Sequence, residues 1–216
     1  MRFIHTLSYI CANYLMMQLK ESHEKRRVYY YGFQVIIGAL VKGALLLTLA
    51  LVLRIFVPTI VVVLVFASIR TIAGGYHMDT YGKCIAVSLG MFLVAGLIVQ
   101  YTWTMWSSTC LVFLYIITFI IGFYTIYKYA PRDTPNKPIT KPEEIRKFRL
   151  LSFIYIFVWL AGVGVLLYTG QNKFVIAAGF GLLLEAFAIS PAGHKFFDSI
   201  KGGLNTFQIK RNKSRV

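Results

Sequence analysis

Charge is scarce in this chain of 216 residues. Charged side chains make up 14% of it, and only eight are acidic, whereas soluble domains carry about 25% charged residues. With 57% hydrophobic residues and a mean hydropathy of +0.65, a soluble domain of this length could not hide its apolar surface, so the composition indicates a polytopic membrane protein. Cysteine is also sparse. Three, an odd number, exclude a secreted disulfide scaffold. They lie far apart without metal-ligand spacing, which argues against a zinc site. No Gly-Lys-Ser/Thr follows Gly74–Gly75, so that pair is not a phosphate loop. No internal repeat relates the halves. What is abundant is aromatic: 17 Phe and 14 Tyr exclude a disordered chain.

A spanning helix needs about 20 mostly apolar residues, or about 17 at the short end. Six segments fit: 33–53, 55–69, 84–101, 109–128, 150–169 and 174–190. The first two form one apolar run interrupted by Arg54 and Pro58. Proline disfavours an uninterrupted helix there, which predicts a tight hairpin.

The basic residues test this arrangement. Of 23 Lys and Arg, 20 fall in the N-terminal 31 residues, in 70–83, in 128–149 and in the tail, while 102–108 has none. Six spans put all four basic segments on one side. The net charge of +15 then reflects the positive-inside rule rather than nucleic-acid binding, and both termini are expected in the cytoplasm. The expected fold is all-α: six transmembrane helices preceded by an amphipathic interfacial helix. The chain divides into an interfacial and basic segment (1–31), a membrane domain (32–192) and a basic tail (193–216).

The first 19 residues are not a signal peptide, since His5 and Asn13 interrupt them and no small-residue cleavage site follows. Phe3, Leu7, Ile10, Tyr14 and Leu15 recur at helical spacing. Such a helix lies along the lipid bilayer, with Lys20–Arg27 at the headgroups. His5, His23 and His194 are expected to be solvated, and Cys11 and Cys110 to act as small hydrophobes.

One stretch could do chemistry: Arg70-Thr-Ile-Ala-Gly74-Gly75-Tyr76-His77-Met-Asp79-Thr-Tyr-Gly82-Lys83-Cys84. It joins two spans and sets His77 and Cys84 seven residues apart. Cys84 would open the third span, where the positive end of the helix dipole and Lys83 favour its thiolate. A nearby imidazole can complete the activation. Seven residues of continuous helix rise about 10.5 Å, beyond the reach of a catalytic hydrogen bond. The chain must therefore break between His77 and Cys84. Gly82 or the Gly74–Gly75 pair can supply the bend, and the Cys84 sulfur is expected about 4–6 Å from a His77 ring nitrogen. A polar loop with a solvated His and a packed Cys would contain the same residues, so the pair alone leaves both readings open.

Two charges fall within spans. Lys42 can snorkel or pair. Glu185 has a shorter stem and needs a partner, for which Lys42, Arg70 and His77 are the candidates. If both charges instead line a path, the chain is a small transporter or peptide exporter. A non-enzymatic sensor or assembly subunit is a third class.

Taken together, Arg-x-x-x-Gly-Gly-x-His with Cys seven residues later resembles the accessory gene regulator B (AgrB) family, the bacterial membrane cysteine endopeptidases of quorum sensing. The segment Ala130-Pro131-Arg-Asp133-Thr134-Pro-Asn136-Lys137-Pro138-Ile139 and the ending Leu-Leu-Glu185-Ala…Ser190-Pro191 are similar to that family too. The resemblance implies a multi-pass protein of the bacterial cell membrane that needs no cofactor and no metal. Its partner would be a short amphipathic AgrD-like propeptide, cut so that the acyl part closes to a thiolactone or lactone. It implies Cys84 as nucleophile and His77 as general base, with Arg70, Gly74, Gly75 and Glu185 in support. The basic 128–149 loop, Lys137 and Lys141 above all, would suit an acidic peptide tail. Self-association into a homodimer is left open.

Overall fold

The computed structural model describes residues 2–76, 78, 81–132 and 141–213, without the side chains of Arg2, Tyr81 and 204–213. The described residues form eight α-helices and no strand: α1 (Arg2–Gln18), α2 (His23–Val52), α3 (Phe56–Ala73), α4 (Tyr81–Thr102), α5 (Ser108–Tyr129), α6 (Pro142–Tyr168), α7 (Asn172–Ile189) and α8 (Pro191–Lys213). Six of them, α2 to α7, are long and apolar enough to cross a membrane, which is the expected fold class.

Several boundaries differ from the sequence expectation. Helix α2 starts ten residues before the expected span, so Lys25, Arg26 and Arg27 belong to its first turns. At 30 residues it is about 45 Å long, longer than the roughly 30 Å hydrocarbon layer. Helix α6 likewise starts at Pro142, because proline suits the first helical turn and Glu143 and Glu144 complement its dipole. Within the basic 128–149 stretch, Lys128 thus belongs to the end of α5, and Arg146, Lys147 and Arg149 to the start of α6. The tail is helical as well. Ser190 closes α7 and caps α8, accepting from the Gly193 N–H at 3.0 Å, with Pro191 opening the new helix.

The α2–α3 hairpin forms as expected. Leu53–Ile55 make the turn, with Arg54 at φ 57°, and Pro58 sits in the first turn of α3, where its missing N–H costs nothing. Helix α1 packs back on α2 through Ile4, Ser8 and Ala12, which are buried, while Phe3, Ile10 and Tyr14 face outward. His5 is not simply solvated. Its Nδ1 lies 2.9 Å from the Tyr30 hydroxyl and 2.6 Å from Gln34 Nε2.

Helix α7 is the axis of the bundle. It touches α3, α4, α5, α6 and α8, and its buried face includes Ala177, Ala178, Gly179, Gly181, Ala186 and Ala188. Inside a bilayer, helices associate by close packing, which small residues allow. The outward faces of the other spans expose Leu40, Leu64, Phe113, Ile120 and Val158, as hydrocarbon contact requires. Polar side chains tie the helices across the core: Tyr155 donates to the Val65 carbonyl at 3.1 Å and Tyr115 to Leu160 at 2.8 Å.

Helix α3 crosses α7 closely at Gly181. A β-carbon there would lie 2.8 Å from the Val62 carbonyl oxygen and 2.8 Å from Val65 Cβ. Gly43 on α2 faces open space. Gly181→Ala is therefore expected to lower stability by about 1–3 kcal/mol, while Gly43→Ala stays within about 0.5 kcal/mol of neutral or gains slightly. Thermal unfolding of both variants in one detergent measures the difference.

Candidate active site

Alternation of the spans brings the α3–α4 connection, the α5–α6 connection and the α7–α8 junction to one end of the bundle, and a salt bridge organises that end. Arg70, in the last turn of α3, reaches Glu185 on α7 with Nη1 3.4 Å from Oε2. The carboxylate is 0% exposed. Of the partners expected for Glu185, Arg70 is at ion-pair distance and Lys42 is not, while His77 lies outside the described residues. Nothing among the described residues donates to Oε1. The other guanidinium arm, Nη2, donates to the Tyr76 carbonyl, and the guanidinium carbon lies 5.6 Å from the Phe66 ring centroid.

The two glycines make this grip possible. Gly74 ends α3 at φ 77° and Gly75 follows at φ 136°, values that only glycine adopts without strain. A β-carbon on Gly74 would collide with the Arg132 carbonyl, and one on Gly75 with Arg70 Nη1. The α5–α6 connection braces the same turn. The Arg132 N–H donates to the Ala73 carbonyl at 2.8 Å, and its guanidinium to the Ile189 carbonyl at 3.1 Å.

Beyond the turn, Tyr76 is fixed from several sides. Its N–H donates to the Ala188 carbonyl at 3.4 Å, and its hydroxyl to Asp198 Oδ1 at 2.7 Å. Its ring stacks on Phe197 and meets His194 edge-on, with centroids 5.2 and 5.0 Å apart. His194 is thus half-buried rather than solvated, because α8 docks back on the bundle. Desolvation first, then the Arg132 charge, holds its imidazole below the usual histidine range.

Cys84 lies in the first turn of α4 as a half-buried free thiol. It opens on a cavity of about 70 Å³ whose walls include Lys42, Arg70, Tyr76, Met78 and Ser88, with Phe66, Phe92 and Phe197 as apolar wall. Lys83 turns inward and is 5% exposed. Lys42 reaches into the cavity from α2, its Nζ 5.6 Å from the Phe92 ring centroid. Among the described residues Glu185 does not line this cavity, whereas Lys42 does.

The structure therefore brings Cys84, Arg70, Gly75 and Glu185 to one end of the bundle, with Gly74 at the hinge. His77 and Asp79 lie outside the described residues, and with His77 the expected sulfur–nitrogen separation. Lys137 lies outside them too. Lys141 is exposed just before α6. Cys110 is exposed on the outer face of α5 and Cys11 half-buried in α1, both away from the cavity. No group of three or more His, Cys, Asp or Glu is placed to hold a metal among the described residues. Sequence reasoning missed the parts played by Tyr76, Arg132, Ser88 and Phe197. Three of them sit in contacts between distant segments, which no local pattern marks. Ser88 was findable, one helical turn past Cys84.

The family model for accessory gene regulator B matches residues 8–189. Accessory gene regulator protein B of Staphylococcus intermedius is 32% identical over 161 residues, covering 74% of this chain and 79% of that protein. An AgrB-like protein of Clostridium perfringens is 23% identical over 168 residues, 76% and 78% of the two chains. One from Listeria innocua is 27% identical over 165 residues, 76% of each. No solved structure matches the chain.

The buried pair generates a stability test. Arg70→Met strands an uncompensated carboxylate and is expected to cost about 3–5 kcal/mol, whereas Arg70→Met with Glu185→Leu should recover most of that loss. Unfolding of both variants in detergent decides whether the pair acts as a unit. Equal losses in the single and double variants would contradict it.

Proposed function

The chain belongs to the accessory gene regulator B family, and its role lies in accessory gene regulation and quorum sensing; from that premise we propose that it is a membrane-embedded cysteine endopeptidase acting on a short AgrD-like propeptide. The observation that carries this reading is the free Cys84 thiol in the first turn of α4, facing a cavity beside the braced turn that leads into His77. The active-site end faces the cytoplasm of a bacterial cell, as do both termini.

In this reading His77 takes the Cys84 proton, and the sulfur attacks the scissile carbonyl. The carbon–sulfur bond forms, the amide carbon–nitrogen bond breaks, and the departing amine receives the proton. The thioester then passes to a Cys or Ser of the propeptide itself. His77 takes the proton of that thiol or hydroxyl, the new carbon–sulfur or carbon–oxygen bond closes a thiolactone or lactone, the bond to the Cys84 sulfur breaks, and His77 returns the proton to the departing Cys84 thiolate. The apolar wall of Phe66, Phe92 and Phe197 supports transfer over hydrolysis, because excluding water leaves the substrate nucleophile as the acceptor. Arg70 and Glu185 hold the turn rather than touch the substrate.

Co-expression with a propeptide and mass spectrometry of both fragments tests the reading. Cys84→Ala and His77→Ala are each expected to lower cleavage at least about 10³-fold with membrane insertion intact. Cys11→Ala and Cys110→Ala should cleave normally, since neither thiol lies at the cavity. Cleavage at near wild-type rate by Cys84→Ala would end the cysteine-protease reading.

The basic connection between α5 and α6 is assigned to the acidic part of the propeptide. Replacing Lys137 and Lys141 with Gln is expected to weaken propeptide binding more at low salt than at high salt, because exposed charges are screened. Unchanged binding at both, with topology intact, would leave these charges a topological role alone.

A further inference from the structure

We propose that Lys42 stabilises the oxyanion that forms on the substrate carbonyl when Cys84 attacks it, an inference that rests on the endopeptidase reading and adds a catalytic residue from α2. The cavity beside Cys84 has two cations in its walls, Lys42 and Arg70, and they are in different situations. Both arms of the Arg70 guanidinium are engaged, one by Glu185 and one by the Tyr76 carbonyl, and the carboxylate offsets its charge. Lys42 has no carboxylate within ion-pair distance among the described residues. Its ammonium lies against the face of Phe92, 5.6 Å from the ring centroid.

That position is not the one snorkelling produces. A snorkelling lysine carries its ammonium out to the headgroups. Here the stem turns inward, against α4, on the face that also carries Cys84, Val87, Ser88 and Met91. Val87, Ser88, Met91 and Phe92 follow Cys84 at three, four, seven and eight positions, the spacing of one helical face. The lysine shares the cavity walls with both Cys84 and Arg70. A cation placed within a span is costly unless a function or partner repays it, and a negative charge that appears only during reaction supplies such a partner.

The chemistry fits in each half-reaction. When the sulfur adds to the carbonyl carbon, the C=O π pair moves to oxygen and a full negative charge develops beside Cys84. The charge collapses as the amine departs. It develops again when the substrate's own thiol or hydroxyl attacks the thioester, and collapses when Cys84 leaves. A cation in apolar surroundings acts on that charge more strongly than it would in water. The flexible four-carbon stem lets the ammonium leave the Phe92 face and follow the oxygen.

The experiment compares wild type with Lys42→Met, Lys42→Arg and Cys84→Ala as full-length protein in lipid nanodiscs, with a synthetic propeptide as substrate. Lys42→Met is expected to lower kcat about 10²–10³-fold while KM stays within about twofold. Lys42→Arg, which keeps the charge, should retain kcat to within about tenfold. Propeptide affinity is measured in parallel in the Cys84→Ala background, with and without Lys42→Met. Equal affinity shows that the cavity is intact and places the loss in the chemical step. A Lys42→Met kcat within twofold of wild type, an effect confined to KM, or equal losses in Lys42→Met and Lys42→Arg would each overturn the proposal while leaving the endopeptidase reading standing, provided Cys84→Ala is inactive. If Cys84→Ala cleaves, the endopeptidase reading itself falls and Lys42 loses its role with it.

Discussion

A carboxylate with no solvent exposure, Glu185 on the central helix, is the constraint on which this end of the molecule depends. A charge at that depth is tolerated only when paired, and Arg70 is the cation that reaches it. Satisfying Glu185 fixes the last turn of α3 against α7. The second arm of the same guanidinium then fixes the Tyr76 carbonyl, so one buried interaction sets where α3 stops and how the chain leaves it. Gly74 and Gly75 follow from this. The backbone must turn through conformations that other residues resist, and Arg70 occupies the space a β-carbon would need. The stability of such a pair is modest in net terms, since desolvation offsets much of the attraction. What it contributes is a single geometry.

The same logic explains why α7 lies at the centre. Its buried face is rich in alanine and glycine, which lets α3 approach closely enough for Arg70 and Glu185 to meet. A side chain at Gly181 would press on the Val62 carbonyl and Val65 and push α3 outward, and the ion pair would lengthen with it. Packing in the middle of the bundle and geometry at its end are therefore linked through one helix–helix contact.

Much of this was legible in the sequence. The six spans followed from apolar length, the shared side of the basic segments from their positions, and the Arg70 partnership from the cost of an intramembrane carboxylate with a short stem. Span length alone underestimated α2 and α6, because both continue past the apolar run as charged, amphipathic helix. It also treated 193–216 as a tail, although Ser190-Pro191 marks a helix boundary and Phe197 supplies an apolar anchor. Lys42 was visible as an intramembrane charge, but its place beside Cys84 was not, since that depends on how α2 packs against α4. The roles of Arg132 and Tyr76 were invisible for the same reason: each acts through a contact with a backbone carbonyl of a distant helix.

Tyr76 shows what these distant contacts accomplish together. Its carbonyl is held from α3, its N–H by the end of α7, and its hydroxyl and ring by α8. Fixing a residue at backbone and side chain removes the freedom that a loop would otherwise keep, and the chain enters position 77 from that fixed point. A side chain that must take and return a proton within hydrogen-bond reach of a sulfur gains from such support, because small displacements of a catalytic group cost large factors in rate. The thiol has its own support in the first turn of a spanning helix. Cys84 and Tyr76 thus belong to separately anchored elements, α4 on one side and the α3–α7–α8 clamp on the other. Both line the same cavity, so its shape depends on how α4 sits against α3 and α7.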